Sequence, residues 1–377
     1  MAVAHHLLPE MPFGDGALYA CLLILALLVG SRAWGGGWRF RGRGERLLIV
    51  GTSPLTRKVV EELVRHPRRY RLVGMVEDGI DLERLIDARR PDVIVVGFTD
   101  RRGRMPMARL IESRARGIRI EDVVETYERL TGKLPLELLP PSRLIFSHEF
   151  ATARVQPVFE RALSLLVAVA GLIVLAPLML LIAVAIRLDS RGPVFFVQQR
   201  AGLYRMPFNL IKFRTMRPVE GRHSEWERDN SNRITRCGYW LRRFRLDELP
   251  QLINMLRGDM NLVGPRPHPM TNLELLVLTA RNLSEVSGDA ISYYSLRCAV
   301  RPGVTGWAQV RYRYANSLEQ EVEKLRYDFY YLKHLSVWLD IRILVETVRT
   351  IVSGHRAVPD GIEETSADAV AAHRESA

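Results

Sequence analysis

The residues best suited to chemistry in this 377-residue chain crowd into one stretch. Between Arg191 and Met260 stand fourteen Lys or Arg against seven Asp or Glu, which is seven of the chain's twelve net positive charges. Inside this stretch, Leu246-Asp-Glu-Leu-Pro-Gln-Leu-Ile-Asn-Met-Leu-Arg-Gly258 sets Asp247 and Glu248 side by side, just after Arg242, Arg243 and Arg245. Nearby cations favour ionised carboxyls, and an ionised carboxylate can attack phosphorus or hold Mg²⁺. Leu249, Leu252, Ile253 and Leu256 keep helical spacing, Pro250 suits only a first turn, and Gly258 reads as a stop. The spacing therefore predicts both acids at a helix N-terminus, where unpaired N–H groups can face a phosphate. A capped structural helix uses the same residues, and so dense a basic run also suits a solvated face on anionic lipid. Physical chemistry alone leaves these readings open.

The elements that must position this cluster follow from composition and patterning. A chain with 47% hydrophobic and 25% charged residues is neither fibrous nor wholly disordered, and its length suits two domains. Three cysteines without a CxxC pair support neither a disulfide framework nor a zinc site, which points to a reducing compartment. The net charge of +12 asks for an anionic partner. Two apolar segments direct that expectation towards a membrane. Gly16 to Ser31 lacks charge and precedes Arg32, Arg39, Arg41, Arg43 and Arg46, so residues 1–45 read as a membrane anchor and basic linker, with everything after them cytoplasmic. Ala162 to Ile186 is uncharged for twenty-five residues, with basic residues at both ends and Pro177 near its middle. This favours a re-entrant helical hairpin over 162–186, broken at Pro177, against a plain spanning helix or a soluble core helix.

Between these segments, residues 46–131 alternate buried strands (46–51, 70–76, 92–97, 118–123) with helices (52–65, 81–89, 107–116), the pattern of a Rossmann-like parallel α/β module. Its first turn, Gly51-Thr-Ser-Pro-Leu-Thr56, has Ser53 and Thr56 where a dinucleotide fingerprint has its second and third glycines. A structural or regulatory module is expected there before a nucleotide site. Residues 132–154 read as a linker, 155–353 as a mainly helical domain, and 354–377 as a disordered tail. The fold class is thus membrane-associated α/β plus mainly α.

Six ordered motifs sharpen this reading. They are Gly192-Pro-Val-Phe-Phe-Val-Gln-Gln-Arg200, Lys212-Phe-Arg-Thr-Met216, Arg233-Ile-Thr-Arg236, Leu246-Asp-Glu-Leu-Pro-Gln-Leu252, Arg257-Gly-Asp-Met-Asn-Leu-Val-Gly-Pro-Arg-Pro267 and Arg301-Pro-Gly-Val-Thr-Gly-Trp-Ala-Gln309. Together they resemble the bacterial polyprenyl-phosphate hexose-1-phosphate transferases, the monotopic phosphoglycosyl transferases that start lipid-linked polysaccharide assembly. Tyr127-Glu-Arg-Leu-Thr-Gly-Lys-Leu-Pro135 and Ser142-Arg-Leu-Ile-Phe-Ser147 look like the exopolysaccharide-associated branch. Two departures stand out: Ala176-Pro177 replaces the family's Ser-Pro, and only one short N-terminal apolar segment is present.

The resemblance implies that Asp247 is the nucleophile on the β-phosphate of a UDP-sugar and that Glu248 orients it or shares Mg²⁺ with it. It further implies that Lys212, Arg242 and Arg266 contact phosphate and that undecaprenyl phosphate accepts the sugar phosphate. The implied site is the cytoplasmic face of a bacterial inner membrane rich in anionic lipid, with no nucleic-acid partner; a homo-oligomer is compatible with it. Trp307, Tyr327, Phe329, Tyr330 and Tyr331 fit interfacial anchoring or core packing equally, while Asp328 and Asp340 are expected to be structural. Two rival functions stay open. A nucleotide-sugar epimerase or dehydratase would need an intact glycine fingerprint and a Tyr-x-x-x-Lys pair, and the α/β module has neither. A nucleotide-sensing membrane scaffold would tolerate loss of both carboxylates.

Overall fold

A computed structural model describes residues 44–77, 82–98, 105–136, 156–217, 232–270, 296–312 and 318–353. The expected N-terminal anchor, most of the linker and the tail lie outside these residues. The chain divides into two compact units at Val123/Val124.

In the first unit, β1 (Glu45–Val50), α1 (Pro54–Arg65), β2 (Tyr70–Val76), α2 (Leu82–Arg89), β3 (Val93–Val96), α3 (Met107–Ala115) and β4 (Arg119–Asp122) alternate as expected. The strands form one parallel sheet in the order β2-β1-β3-β4. Leu47 to Val50 and Val93 to Val96 are buried throughout, because central parallel strands are covered on both faces and so are written as continuous apolar runs. Ser53 caps α1 by accepting from Thr56 N at 3.1 Å, and Pro54 takes the first helical turn, where its missing donor is harmless. At the broken fingerprint, the Thr56 hydroxyl donates to Gly97 O at 3.4 Å. Gly51 takes the left-handed φ of +92°, and a Cβ there would meet the Phe98 ring at 2.8 Å. This turn is packed with side chains where the fingerprint needs bare backbone.

The second unit is mainly helical. It comprises α4 (Val123–Thr131), which begins at the division, α5 (Gln156–Asp189), β5 (Phe195–Ala201), β6 (Pro207–Phe213) and α6 (Arg236–Arg243). These are followed by α7 (Gln251–Arg257), β7 (Asn261–Val263), β8 (Gly303–Thr305), α8 (Trp307–Arg311), α9 (Leu318–Lys333) and α10 (Val337–Ser353). β5 and β6 form an antiparallel hairpin, and β7 and β8 a short parallel pair. The alternating pattern predicts that the α/β module continues to residue 131, whereas from Val124 onward α4 falls in the second unit. Buried Glu128 takes Lys333 Nζ at 3.0 Å and His334 Nε2 at 3.0 Å. Beside them, Trp307 Nε1 donates to Gly132 O at 2.9 Å. Trp307, Tyr327 and Tyr331 belong to a core with Val263, Leu339 and Ile343, and Phe329 is also fully buried. Of the two readings left open for these aromatics, core packing is therefore the one realised for these four. Exposed aromatics among the described residues lie elsewhere, at Phe159, Phe195, Phe196, Tyr204, Tyr239, Trp240 and Phe244.

α5 is the one described helix long and apolar enough to cross a membrane. Ile173 is 72% exposed and Leu181 68%, so α5 is not the central helix of a soluble core among the described residues. It runs as one helix from Gln156 to Asp189 with Pro177 inside, so the expected division into two helices at Pro177 does not occur. Neighbouring turns can carry a helix past a proline at the loss of one backbone bond. Both flanks of α5 pack on the second unit. At the N-terminal flank, Arg161 donates to Met255 O at 2.6 Å and Leu256 O at 3.1 Å, and the Ser164 hydroxyl accepts from Leu262 N at 2.8 Å. At the C-terminal flank, Ile182 and Ile186 pack with Phe213 and Leu241, while Arg214 donates to Ser190 O at 2.7 Å.

Candidate active site

The Leu-Asp-Glu-Leu sequence is placed by its leucines. Leu246 and Leu249 pack against the cluster of Ile182, Ile186, Phe213 and Leu241, fastening the turn between them to the C-terminal flank of α5. Asp247 and Glu248 lie in a 3-10 turn, Leu246–Glu248, one turn ahead of α7 rather than at its N-terminus. Arg245 enters that turn with a left-handed φ of +55°, a conformation costing a non-glycine residue roughly 1–2 kcal/mol. Four of the amides expected to be free for an anion are already bonded. Glu248 N and Leu249 N bond Arg245 O and Leu246 O, while Leu252 N and Ile253 N bond Leu249 O and Pro250 O. The Gly258 stop does occur, at φ +91°.

β6 and the loop after β7 bring the cations. Lys212 precedes buried Phe213 on β6, so strand alternation sends Phe213 to the core and Lys212 to the other face. Lys212 Nζ approaches Glu248 Oε1 at 3.2 Å. Arg266 Nη2 approaches the same oxygen at 3.1 Å, and Arg245 Nη1 stands at 4.0 Å. Arg266 also donates through Nη1 to Gln309 Oε1 at 3.4 Å. Only 10% of the Glu248 side chain is exposed. Burial pushes its carboxyl up, but Lys212, Arg266 and Arg245 outweigh this and hold it well below the usual carboxylate range.

Asp247 behaves differently. Its carboxylate has no hydrogen bond or ion pair among the described residues. Burial first and the Glu248 charge second push it up, against the pull of Lys212, Arg242 and Arg266. The cations expected to keep both acids ionised prevail over burial at Glu248, while at Asp247 burial and the neighbouring charge outweigh their pull and raise the carboxyl. Burial also moves Lys212 down, Glu248 opposing. Sequence reasoning therefore named Lys212, Arg242 and Arg266 around the acids, and the fold brings the charges of all three to bear on Asp247. Arg245 enters the sequence reading only as one of three flanking cations, and Gln309 only as the end of a motif. Nothing in local spacing marks a contact between Arg266 and Gln309, forty-three residues on.

Asp328 and Asp340 take the structural places expected. Asp328 accepts from Arg297 Nε at 2.7 Å, and Asp340 from Tyr331 Oη at 3.0 Å.

Among the described residues no three His, Cys, Asp or Glu side chains gather as a metal cage. Two adjacent carboxylates, one unpaired and raised by burial and its neighbour's charge, do suit the way Mg²⁺ binds: through one or two carboxylates plus substrate phosphates and water.

The site is thus a carboxylate dyad ringed by cations and packed against one end of a long apolar helix. The bacterial sugar transferase family model matches residues 155–354, and the chain belongs to that family. It is 36% identical over 241 residues to a UDP-N-acetylgalactosamine-undecaprenyl-phosphate N-acetylgalactosaminephosphotransferase of Aeromonas hydrophila, covering 64% of this chain and 54% of that protein. It is 33% identical over 335 residues to an undecaprenyl-phosphate glucose phosphotransferase of Komagataeibacter xylinus, covering 84% of this chain and 61% of that protein. A UDP-glucose:undecaprenyl-phosphate glucose-1-phosphate transferase of Caulobacter vibrioides is 37% identical over 201 residues, 52% of this chain and 71% of that one. The chain thus spans little more than half the length of the first two relatives.

Proposed function

We propose that this protein transfers hexose 1-phosphate from a UDP-sugar to undecaprenyl phosphate, releasing UMP, and so initiates exopolysaccharide or other glycoconjugate assembly. The observation that carries the mechanism is the asymmetry of the dyad: Glu248 is held by Lys212 and Arg266, while Asp247 keeps its lone pairs unengaged. An Asp247 oxygen attacks the β-phosphorus of the donor. The bond from that phosphorus to the bridging oxygen breaks, UMP leaves with the electron pair, and a sugar-bearing aspartyl phosphate remains. An oxygen of undecaprenyl phosphate then attacks the same phosphorus, breaking the aspartyl bond and restoring the carboxylate. Lys212, Arg242 and Arg266 offset charge on the phosphoryl oxygens, and Glu248 keeps Lys212 and Arg266 in place. Asp247 and Glu248 would hold Mg²⁺ together with the donor diphosphate; when bound, the ion supplies charge neutralisation at the transferring group.

The position of α5 supports a site at the membrane surface. From Arg161 to Ile186 a helix rises about 37 Å, more than the roughly 30 Å hydrocarbon core. Both ends of that length dock on the unit that carries the dyad. A helix crossing the bilayer would draw the ionic site into hydrocarbon with it, so the unbroken α5 lies along one leaflet, on the cytoplasmic face of the inner membrane, in place of the hairpin expected at Pro177.

The test incubates membranes containing the protein with a panel of UDP-sugars, undecaprenyl phosphate and Mg²⁺, scoring UMP release and, after a denaturing quench, sugar-phosphate bound to the polypeptide. Wild type should yield both with one donor, and Asp247→Asn neither. Full turnover by Asp247→Asn would remove the nucleophile assignment.

A further inference from the structure

Arg266 reaches the dyad from the run Gly264-Pro-Arg-Pro-His268, and that run is held in an unusual way. Each of four successive carbonyls accepts a bond: Pro265 O from Gly303 N at 3.0 Å, Arg266 O from Arg297 Nη2, Pro267 O from Arg200 Nη1 at 3.0 Å, and His268 O from Ala201 N at 2.9 Å. Pro265 and Pro267 have no amide to donate, so acceptance through the carbonyls is how this backbone is gripped. Gly264 lies so close to the chain after Arg301 that a Cβ would meet Arg301 O at 2.6 Å.

Arg297 stands apart from the other three donors. Its guanidinium spans two targets, donating through Nε to Asp328 Oδ2 at 2.7 Å and through Nη2 to the Arg266 carbonyl. Both charged side chains are only 3% exposed. Taking two charges out of water costs several kcal/mol per ion, so such a pair adds little stability over packed apolar groups. What it does supply is a fixed direction: a planar fork locked to α9 at one prong holds the Arg266 backbone at the other.

We infer that Arg297, oriented by Asp328, is a positioning residue that aims the Arg266 guanidinium at Glu248 and at the donor phosphate. This rests on the role proposed for Arg266. Because a misplacement of about 1 Å in a phosphate clamp costs on the order of 100-fold in rate, loss of the fork acts through Arg266 rather than by contact with substrate. Lysine at position 297 keeps the charge but cannot grip both targets in one plane.

The test is a double-mutant cycle on the full chain in membranes, reading kcat/KM for the UDP-sugar by UMP release alongside a thermal melt. Arg297→Lys should lower kcat/KM by about 10- to 100-fold, and Asp328→Asn, which keeps an acceptor for Nε, by less. Arg266→Ala should be severely impaired, and adding Arg297→Lys to it should change the remaining rate less than about twofold, because the two act as one unit. Penalties that multiply, or an Arg297→Lys rate equal to wild type, overturn the inference while leaving the transferase reading intact. Wild-type activity unaffected by Arg266→Ala removes the role on which it rests, and the inference with it. If Arg297→Lys does not fold, the same cycle run with Asp328→Asn decides.

Discussion

Replacing Glu248 by glutamine keeps the shape of the side chain and removes its charge. In the folded protein one oxygen of this group receives Lys212 at 3.2 Å and Arg266 at 3.1 Å. Lys212 and Arg266 stay charged, and removing the anion from a buried pair so that its cations are left uncompensated costs about 3–5 kcal/mol, a factor of more than about 100 in an equilibrium. The site also has a second readout. Glu248 is one of the two causes that raise Asp247, so its loss should move Asp247 down. Single-turnover UMP release measured against pH should therefore show a lower plateau and an acid limb displaced to lower pH than in wild type, with the urea midpoint reduced. The direction of the limb is the discriminating result. A limb that stays in place or moves up would mean that Asp247 and Glu248 do not interact as the geometry requires, and the division of labour between them would fall.

Three further outcomes are expected. Asp340, raised to about 7 by burial and Glu160 against its bond from Tyr331, is protonated in the folded chain where the unfolded chain is not. Stability conferred by that proton is present at low pH and lost as pH rises towards 7, so Asp340→Asn should gain on wild type by on the order of 3 kcal/mol between pH 4 and 8 in urea melts; a constant difference across that range would refute it. His268, held to about 4 by burial and Arg297 against Glu321, should show an imidazole midpoint near 4 by NMR, with folded stability falling as pH drops from 6.5 towards 4; a midpoint at 6 or above would contradict the buried environment. A cysteine placed just beyond Arg187 should react with an impermeant thiol reagent only from the cytoplasmic side, and labelling from outside would refute the single-leaflet position of α5.

The α/β unit was legible because its information is local. A buried parallel strand has to be apolar on both faces, so Leu47 to Val50 and Val93 to Val96 announce themselves, and Ser53-Pro54 announces the helix that follows. The dyad was legible for another reason: two adjacent acids among arginines are rare enough to draw notice, and the surrounding motifs carried the family. α7 starts one turn later than the spacing predicts, because Pro250 stands just ahead of the helix rather than within its first turn. The left-handed Arg245 that starts the 3-10 turn has no sequence signature. Trp307 and Tyr331 could not be assigned to core or interface from their types alone, since an amphipathic ring suits either until its neighbours are known.

What the linear chain determined by itself was the inventory: which segments are strands and helices, which is apolar, and which side chains can meet a phosphate. What only the fold decided was division of labour. Lys212, Arg266 and Glu248 are separated by 36 and 18 residues, and their convergence comes from Leu246, Leu249 and Phe213 packing on the end of α5. That convergence engages one carboxylate and leaves its neighbour unpaired, because local charge and burial depend on distances across the core that no periodicity along the chain encodes.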